Sequence, residues 1–202
     1  MDVFEAIRTT RSMRRLDPDR DVSDEDLAVI VDAATRAPSG GNSQPVRWLI
    51  VRDPDLKRRV GEVYREQAAV ALRVYEAEAA TNPQAARMLR SATHLAEHMG
   101  EAPALVIPCA RGEQGRHAGS VFPAAQNLML AARALGLGTT LTTIHRRDEN
   151  AVREILGIPD DVQTYAIIPV GYPLGRWGEA PRRPSGEVTY WDRWGERRDG
   201  TS

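Results

Sequence analysis

Ala104-Leu105-Val106-Ile107-Pro108-Cys109 is apolar along its whole length. A half-buried strand alternates apolar and polar residues, whereas an unbroken apolar run of this length marks a strand covered on both faces. Something must therefore pack on either side of 104–109. Two more strands follow from composition: Val46-Arg47-Trp48-Leu49-Ile50-Val51 and Tyr165-Ala166-Ile167-Ile168-Pro169-Val170. The β-branched run 139–143 reads as a short fourth strand.

Helices supply the cover. Residues 2–9 form a short helix. Ser23 caps the next one, with Asp26 three residues on in a variant of the capping box, and Leu27, Ile30, Val31 and Ala34 make a buried stripe that stops before Pro38. Pro54 opens a helical region reaching about 80. Thr81-Asn82-Pro83 interrupts it, and helix resumes to about 99. Residues 123–135 carry Ala125, Leu128, Met129, Ala132 and Leu135 at core spacing, and Gly136 and Gly138 end that helix. A last helix spans 148–156, closed by Gly157-Ile158-Pro159. Helices around a small sheet make an α+β chain, and 202 residues suit one domain over 1–202. From 171 onward periodicity gives way to Pro, Gly, Arg and Trp, and Trp177, Trp191 and Trp194 argue that this arm is pinned to a surface.

Composition narrows the function. With 27 basic and 28 acidic residues the net charge is −1, so neither a nucleic-acid nor a membrane partner is expected. Cys109 is the one cysteine, which excludes an internal disulfide or a thiolate metal cluster and fits a reducing compartment. The first residues lack the basic-then-apolar pattern of a signal peptide, and no run approaches a membrane span. A cytoplasmic location is the expectation.

Three segments carry candidate chemistry. Arg8-Thr9-Thr10-Arg11-Ser12-Met13-Arg14-Arg15 packs four guanidinium forks and three hydroxyls into eight residues, groups suited to a phosphate. Ala37-Pro38-Ser39-Gly40-Gly41-Asn42-Ser43-Gln44-Pro45 joins a helix to a strand. Its glycines permit close backbone approach, and the Asn42 and Gln44 amides both donate and accept, as the edge of a flat heterocycle requires. Arg182-Arg183-Pro184 adds late positive charge. His94-Leu95-Ala96-Glu97-His98 matches the H-x-x-E-H zinc pattern, but neither His117 nor His145 has the neighbourhood of a third ligand, so no metal is expected. Gly136-Leu137-Gly138 lacks the third glycine of a dinucleotide fingerprint.

Taken together, Thr10-Arg11-Ser12-Met13-Arg14, Ala33-Ala34 with 37–45, Gly136-Leu137-Gly138-Thr139-Thr140, Pro169-Val170-Gly171-Tyr172-Pro173 and Arg182-Arg183-Pro184 resemble the FMN-dependent nitroreductase family along nearly the whole chain. The segments 94–98 and 103–109 look closest to a small actinobacterial-type subgroup. The resemblance implies a central, mostly antiparallel sheet flanked by helices, with a C-terminal extension (171–202) wrapping the partner subunit of a homodimer. It implies FMN at the subunit interface. Arg11, Ser12 and Arg14 would bind its phosphate and pyrimidine edge. Pro38, Ser39, Asn42 and Gln44 would contact ribityl and ring, from the other subunit. Leu141, Thr142 and Thr143 would line the ring near N5, and Arg182 and Arg183 would complete the phosphate site. The family often has an arginine where this chain has Thr10 and an aromatic where it has Leu16; Arg15 or Arg8 is the candidate for the missing charge.

The implied activity is ping-pong hydride transfer from NADPH or NADH through flavin N5 to a small oxidised acceptor such as a nitroaromatic, quinone or enone. No side chain acts as a catalytic residue there, because the cofactor carries the chemistry. Relatives of this fold also dehalogenate, dehydrogenate biosynthetic intermediates or destroy flavin, and a flavin store without turnover is a further alternative. Arg11→Ala is expected to weaken FMN retention by about 1.5–3 kcal/mol, the worth of a charge-assisted hydrogen bond. A fluorescence titration of the apoprotein measures this, and unchanged affinity would remove Arg11 from the phosphate site.

Overall fold

The computed structural model describes residues 1–113 and 115–198; Gln114 in the 111–119 loop and the end of the arm, 199–202, lie outside the described residues. Five strands, β1 (Val46–Val51), β2 (Ala104–Arg111), β3 (Gly138–Thr139), β4 (Val162–Thr164) and β5 (Ile168–Gly171), form one sheet. Its order is β1-β2-β5-β3, with β4 also on β2, and all of these pairings are antiparallel. The helices are α1 (Val3–Thr9), α2 (Asp24–Thr35), α3 (Pro54–Ala71), α4 (Glu76–Ala79), α5 (Pro83–His98), α6 (Ala118–Ala134), α7 (Glu149–Leu156) and α8 (Ser185–Val188).

β2 is covered on both faces, as its unbroken apolar run requires. Val106 packs with Leu27 and Ile30 of α2 and Leu128 of α6, while its neighbours Leu105 and Ile107 pack with Val60 and Tyr64 of α3 and Leu95 of α5. The sheet is thus sandwiched between α2/α6 and α3/α5. Ser23 caps α2 as expected, its hydroxyl accepting from Asp26 N–H, and Gly157 ends α7 in the left-handed conformation.

Four boundaries differ from the sequence expectation, each for a local reason. The helix expected from Pro123 starts five residues earlier, at Ala118; Pro123 sits in its second turn and forfeits one N–H bond, a loss smaller near a helix start than in its middle. The helix expected to reach 80 ends at Ala71 and continues as a 3-10 turn and the short α4. The expected 139–143 strand keeps sheet pairing only at Gly138 and Thr139 and at an isolated bridge between Thr142 and Ile167. The expected 165–170 strand is split. β4 pairs Thr164 with Cys109 and β5 pairs Ile168 with Val106, so three residues, 165–167, face only two, 107 and 108. That one extra residue is a bulge.

The bulge has a structural purpose. Tyr165 N–H still bonds to the Pro108 carbonyl, but Ile167 turns both of its backbone groups to Thr142: Ile167 N–H donates to the Thr142 carbonyl at 2.9 Å, and Thr142 N–H donates to the Ile167 carbonyl at 3.0 Å. On the opposite edge the chain start is stitched to β3. Ser12 bridges Thr139 in parallel, and Met13 N–H donates to the Thr139 carbonyl at 2.9 Å. Gly138 permits this approach, since a Cβ there would lie 2.8 Å from the Met13 Cβ.

The start of the arm packs on its own chain. Leu174 N–H bonds to the Arg15 carbonyl, Arg20 stacks on Tyr172, Arg133 lies 4.2 Å from the Trp177 ring centre and Arg8 pairs with Glu179. Farther on, Trp194 is 90% exposed. No helix of the described residues is long and apolar enough to cross a membrane.

The 3-10 turn after Thr143 is anchored by His145, which is fully buried. Glu149 accepts from both the Thr164 N–H and the Thr164 hydroxyl, so that hydroxyl has no proton left for His145, and His145 Nε2 must carry the hydrogen in their 3.0 Å contact. Nδ1 is buried without a partner, so a second proton would be unsatisfied. Burial first, and then the charge of Arg146, lower the His145 pKa from its ordinary 6.5 to about 4. Its neutral form therefore favours folding fully above pH 6.5. As pH falls from 6.5 toward 4 only the unfolded chain takes up the proton, and stability falls by up to about 3 kcal/mol at roughly 1.4 kcal/mol per pH unit. His145→Gln keeps the donor and cannot titrate, so melting curves between pH 7 and 4.5 should lose markedly less stability in that variant than in the native chain.

Candidate functional site

The stitch between 12–13 and 139 fixes where Arg14 can go. Its guanidinium is half-buried, and burial pushes its pKa down, partly offset by the nearby Tyr64 hydroxyl. No hydrogen-bond partner or carboxylate meets it among the described residues. A desolvated cation without a counter-charge is costly, and an anionic or acceptor-rich ligand removes that cost. Arg14 also borders a cleft of about 210 Å³ with Leu16, His94, His98, Glu101 and Leu174.

Thr142 stands on the other side of Tyr64. Its hydroxyl is 3.0 Å from the Tyr64 hydroxyl and accepts weakly from Ile144 N–H at 3.4 Å. Thr142 is 9% exposed, Leu141 is half-buried and Thr143 is exposed. The structure therefore brings together Arg14, Thr142 and the backbone of Ser12, residues about 130 positions apart. Arg11, half-buried, and Ser12, whose side chain is exposed, lie on the same stitched segment.

The 38–44 segment forms a separate group at the start of α6. Gly40 N–H donates to Ser120 Oγ, and Ser39 Oγ accepts from Gln44 N–H at 3.0 Å. Gly41, Asn42 and Gln44 all have positive φ, +57°, +52° and +46°. For the two non-glycine residues this is strain of about 1–2 kcal/mol each, held in place by the turn around them. Pro38, Asn42 and Gln44 are exposed and Ser39 half-buried. Arg182, which donates to its neighbour Pro181 carbonyl, and Arg183 are exposed on the arm. No hydrogen bond or ion pair joins 38–44 or 182–183 to 11–14 among the described residues.

The Thr10 hydroxyl turns back to the Ala6 carbonyl, Arg8 makes an exposed ion pair with Glu179 at 3.6 Å, and exposed Arg15 lies near enough to His94 for its charge to act on that ring. The His94 and His98 rings lie 4.3 Å apart, and His98 Nδ1 pairs with Glu101 at 2.9 Å. His94 is lowered in pKa by partial burial and then by His98. No group of three His, Cys, Asp or Glu side chains is placed to hold a metal among the described residues. Cys109 is buried, and burial pushes its thiol pKa up to about 12, which makes it a structural side chain.

The residue that sequence reading missed is Tyr64. It lies at core spacing from Val60 and Ala68 and so reads as packing. The available signal was its hydroxyl, because a tyrosine on a buried stripe requires a polar partner.

Residues 7–172 match the model of the nitroreductase family. An NADH dehydrogenase from Thermus thermophilus is 31% identical, over 95% of this chain and 96% of that protein. An iodotyrosine deiodinase from Thermotoga neapolitana is 31% identical over 81% of this chain and 83% of its own length. Among solved structures, an oxidised iodotyrosine deiodinase bound to FMN and 3-iodo-L-tyrosine superposes with a TM-score of 0.74 at 26% identity, over 90% of this chain and 95% of that one.

Asn42→Gly separates strain from contact. Relief of the left-handed Asn offsets the larger chain entropy of glycine, so apoprotein stability should stay within about 0.5 kcal/mol. If the Asn42 amide contacts FMN, as the family resemblance implies, flavin affinity should fall by about 1 kcal/mol. Thermal melts and flavin titration read the two effects separately, and a loss of stability alone would make the loop purely structural.

Proposed function

Because the chain belongs to the nitroreductase family, we propose that it is an FMN-dependent oxidoreductase that passes hydride from NADH or NADPH to a small oxidised acceptor in two alternating half-reactions. The observation that carries this reading is Arg14: a half-buried guanidinium, unpaired among the described residues, near the Tyr64 hydroxyl that in turn meets Thr142. An isoalloxazine fits such a place, with acceptor atoms at its pyrimidine edge for the cation and at its centre for a hydroxyl donor.

Bound FMN would supply the hydride chemistry, at its N5. The chain's own residues bind and orient. Arg11 and Ser12, with Arg182 and Arg183 of the arm, present charge and donors for the phosphate. Arg14 stabilises negative charge at the pyrimidine edge, and Leu141, Thr142 and Thr143 line the ring. Pro38, Ser39, Asn42 and Gln44 sit apart from Arg14 within one chain, exposed on a pre-strained turn. That separation favours a homodimer in which one copy's 38–44 turn completes the other's site, with the exposed end of the arm lying on the partner.

Similarity to iodotyrosine deiodinases favours one second reading, reductive removal of halide from a haloaromatic at the same site. The test is the absorption spectrum of the purified full chain. It should be yellow, or become so with added FMN, and should bleach under anaerobic NADH or NADPH. A chain that stays colourless in excess FMN would defeat the proposal. Iodide release from 3-iodotyrosine, set against reduction of quinones and nitroaromatics, separates the two chemistries.

A further inference from the structure

Tyr64 is 2% exposed on α3, with its ring in the cluster that contains Val60, Ala68, Met99 and Ile167. Phenylalanine would fill that space equally well. The hydroxyl is a liability in such a cluster unless it is paired. Its one hydrogen-bond partner among the described residues is Thr142 Oγ1, at 3.0 Å. We propose that Tyr64 is a positioning residue that fixes the Thr142 hydroxyl as an outward-pointing hydrogen-bond donor at the flavin ring. This inference rests on the FMN reading above.

Charge gives the direction. One proton lies between two hydroxyl oxygens in contact, and it belongs to either Tyr64 or Thr142. Whichever donates, the other hydroxyl's proton has no acceptor among the described residues, so the charge beside the pair decides. The nearest charge acting on the phenol is Arg14, which has donors and no acceptor. A cation there draws the phenol lone pairs toward itself and sends the phenol proton the other way, to Thr142. Burial raises the Tyr64 pKa, more than the Thr142 bond and Arg14 lower it, so the phenol keeps that proton.

Thr142 Oγ1 then accepts from Tyr64 and, weakly, from Ile144 N–H. Its own proton is left over. The side chain cannot swing to hide it, because the Thr142 backbone is held on both sides by Ile167 across the bulge and a β-branched side chain has few rotamers. The result is an ordered pair of donors, Tyr64 to Thr142 and Thr142 to ligand, oriented by the charge of Arg14.

An imposed donor distinguishes the two forms of a flavin. The oxidised ring presents a lone pair at N5 and accepts, whereas the reduced ring presents N–H and meets donor with donor. Tyr64 therefore biases the bound cofactor toward its oxidised form, lowering its potential and making it readier to give hydride away once reduced.

The test uses FMN-loaded full chain with Tyr64→Phe, Thr142→Val and the double variant. Midpoint potentials come from anaerobic spectroelectrochemical titration, and FMN affinity from fluorescence. Tyr64→Phe should leave FMN affinity within about threefold and favour the reduced form about tenfold, which is about 30 mV upward for a two-electron couple. Thr142→Val should shift the potential the same way, and adding Tyr64→Phe to it should change nothing further. The inference is overturned by an unmoved potential in Tyr64→Phe, by an equal shift in the Thr142→Val background, or by weaker FMN binding with no shift. Should Tyr64→Phe fail to fold, an unmoved potential in Thr142→Val overturns it and an upward shift supports it. Failure of the native chain to take up FMN would sink the functional proposal itself, an outcome distinct from bound flavin with unmoved potential.

Discussion

One surplus residue in the 162–171 strand organises the site. Between its two pairings with β2 the strand spends three residues against two. An uninterrupted ladder would have committed Ile167 to β2 like its neighbours. The bulge instead gives both of its backbone groups to Thr142. The 140–143 segment, too short and irregular to hold itself, is thereby fastened to the most buried part of the sheet. Rigid support of this kind makes a hydrogen-bonding hydroxyl useful, since a donor misplaced by an ångström loses most of its effect.

A second constraint acts on the charge. Holding Arg14 half out of water with no carboxylate beside it works against the fold, and the molecule contains many acids that might have been placed there. The cost is accepted by construction: Gly138 opens a gap beside Met13, Met13 is bonded to Thr139, and the segment has little freedom to turn Arg14 outward. The strain at Asn42 and Gln44 has the same character, local free energy spent to present groups in a fixed pose. Both features make sense as preparation for a ligand that gives back more than each costs.

Much of this was legible in the sequence, for physical reasons that also set the limit. The apolar run 104–109 forces a doubly covered strand, and the heptad-like stripe after Ser23 forces an amphipathic helix; both were placed correctly because period and burial are local signals. The bulge was not legible, since Tyr165-Ala166-Ile167-Ile168-Pro169-Val170 has the composition of one continuous strand and register is decided by the partner it meets. Pro123 misled by reading as a helix start when a preceding turn was available to extend it. In the proposed site, the arginines and amides stand out in the sequence by type and order. Tyr64 was hidden, because core spacing masks a hydroxyl whose partner is 78 residues away.

The separation of 38–44 from 11–14 bears on why such a site would be divided between two chains. A ring bound within one chain must enter between elements already packed together, and opening them breaks a core. A ring bound between copies needs only two preformed surfaces, each stable alone. In the proposed dimer one surface would be the stitched edge carrying Arg14 and Thr142, and the other the turn at the start of α6, bonded to Ser120. Neither needs the ligand to hold its shape, so little ordering entropy is left to be lost on binding. In that arrangement affinity would depend on how firmly the two copies associate, and changes at the exposed end of the arm around Trp194 would act on flavin binding without touching the flavin.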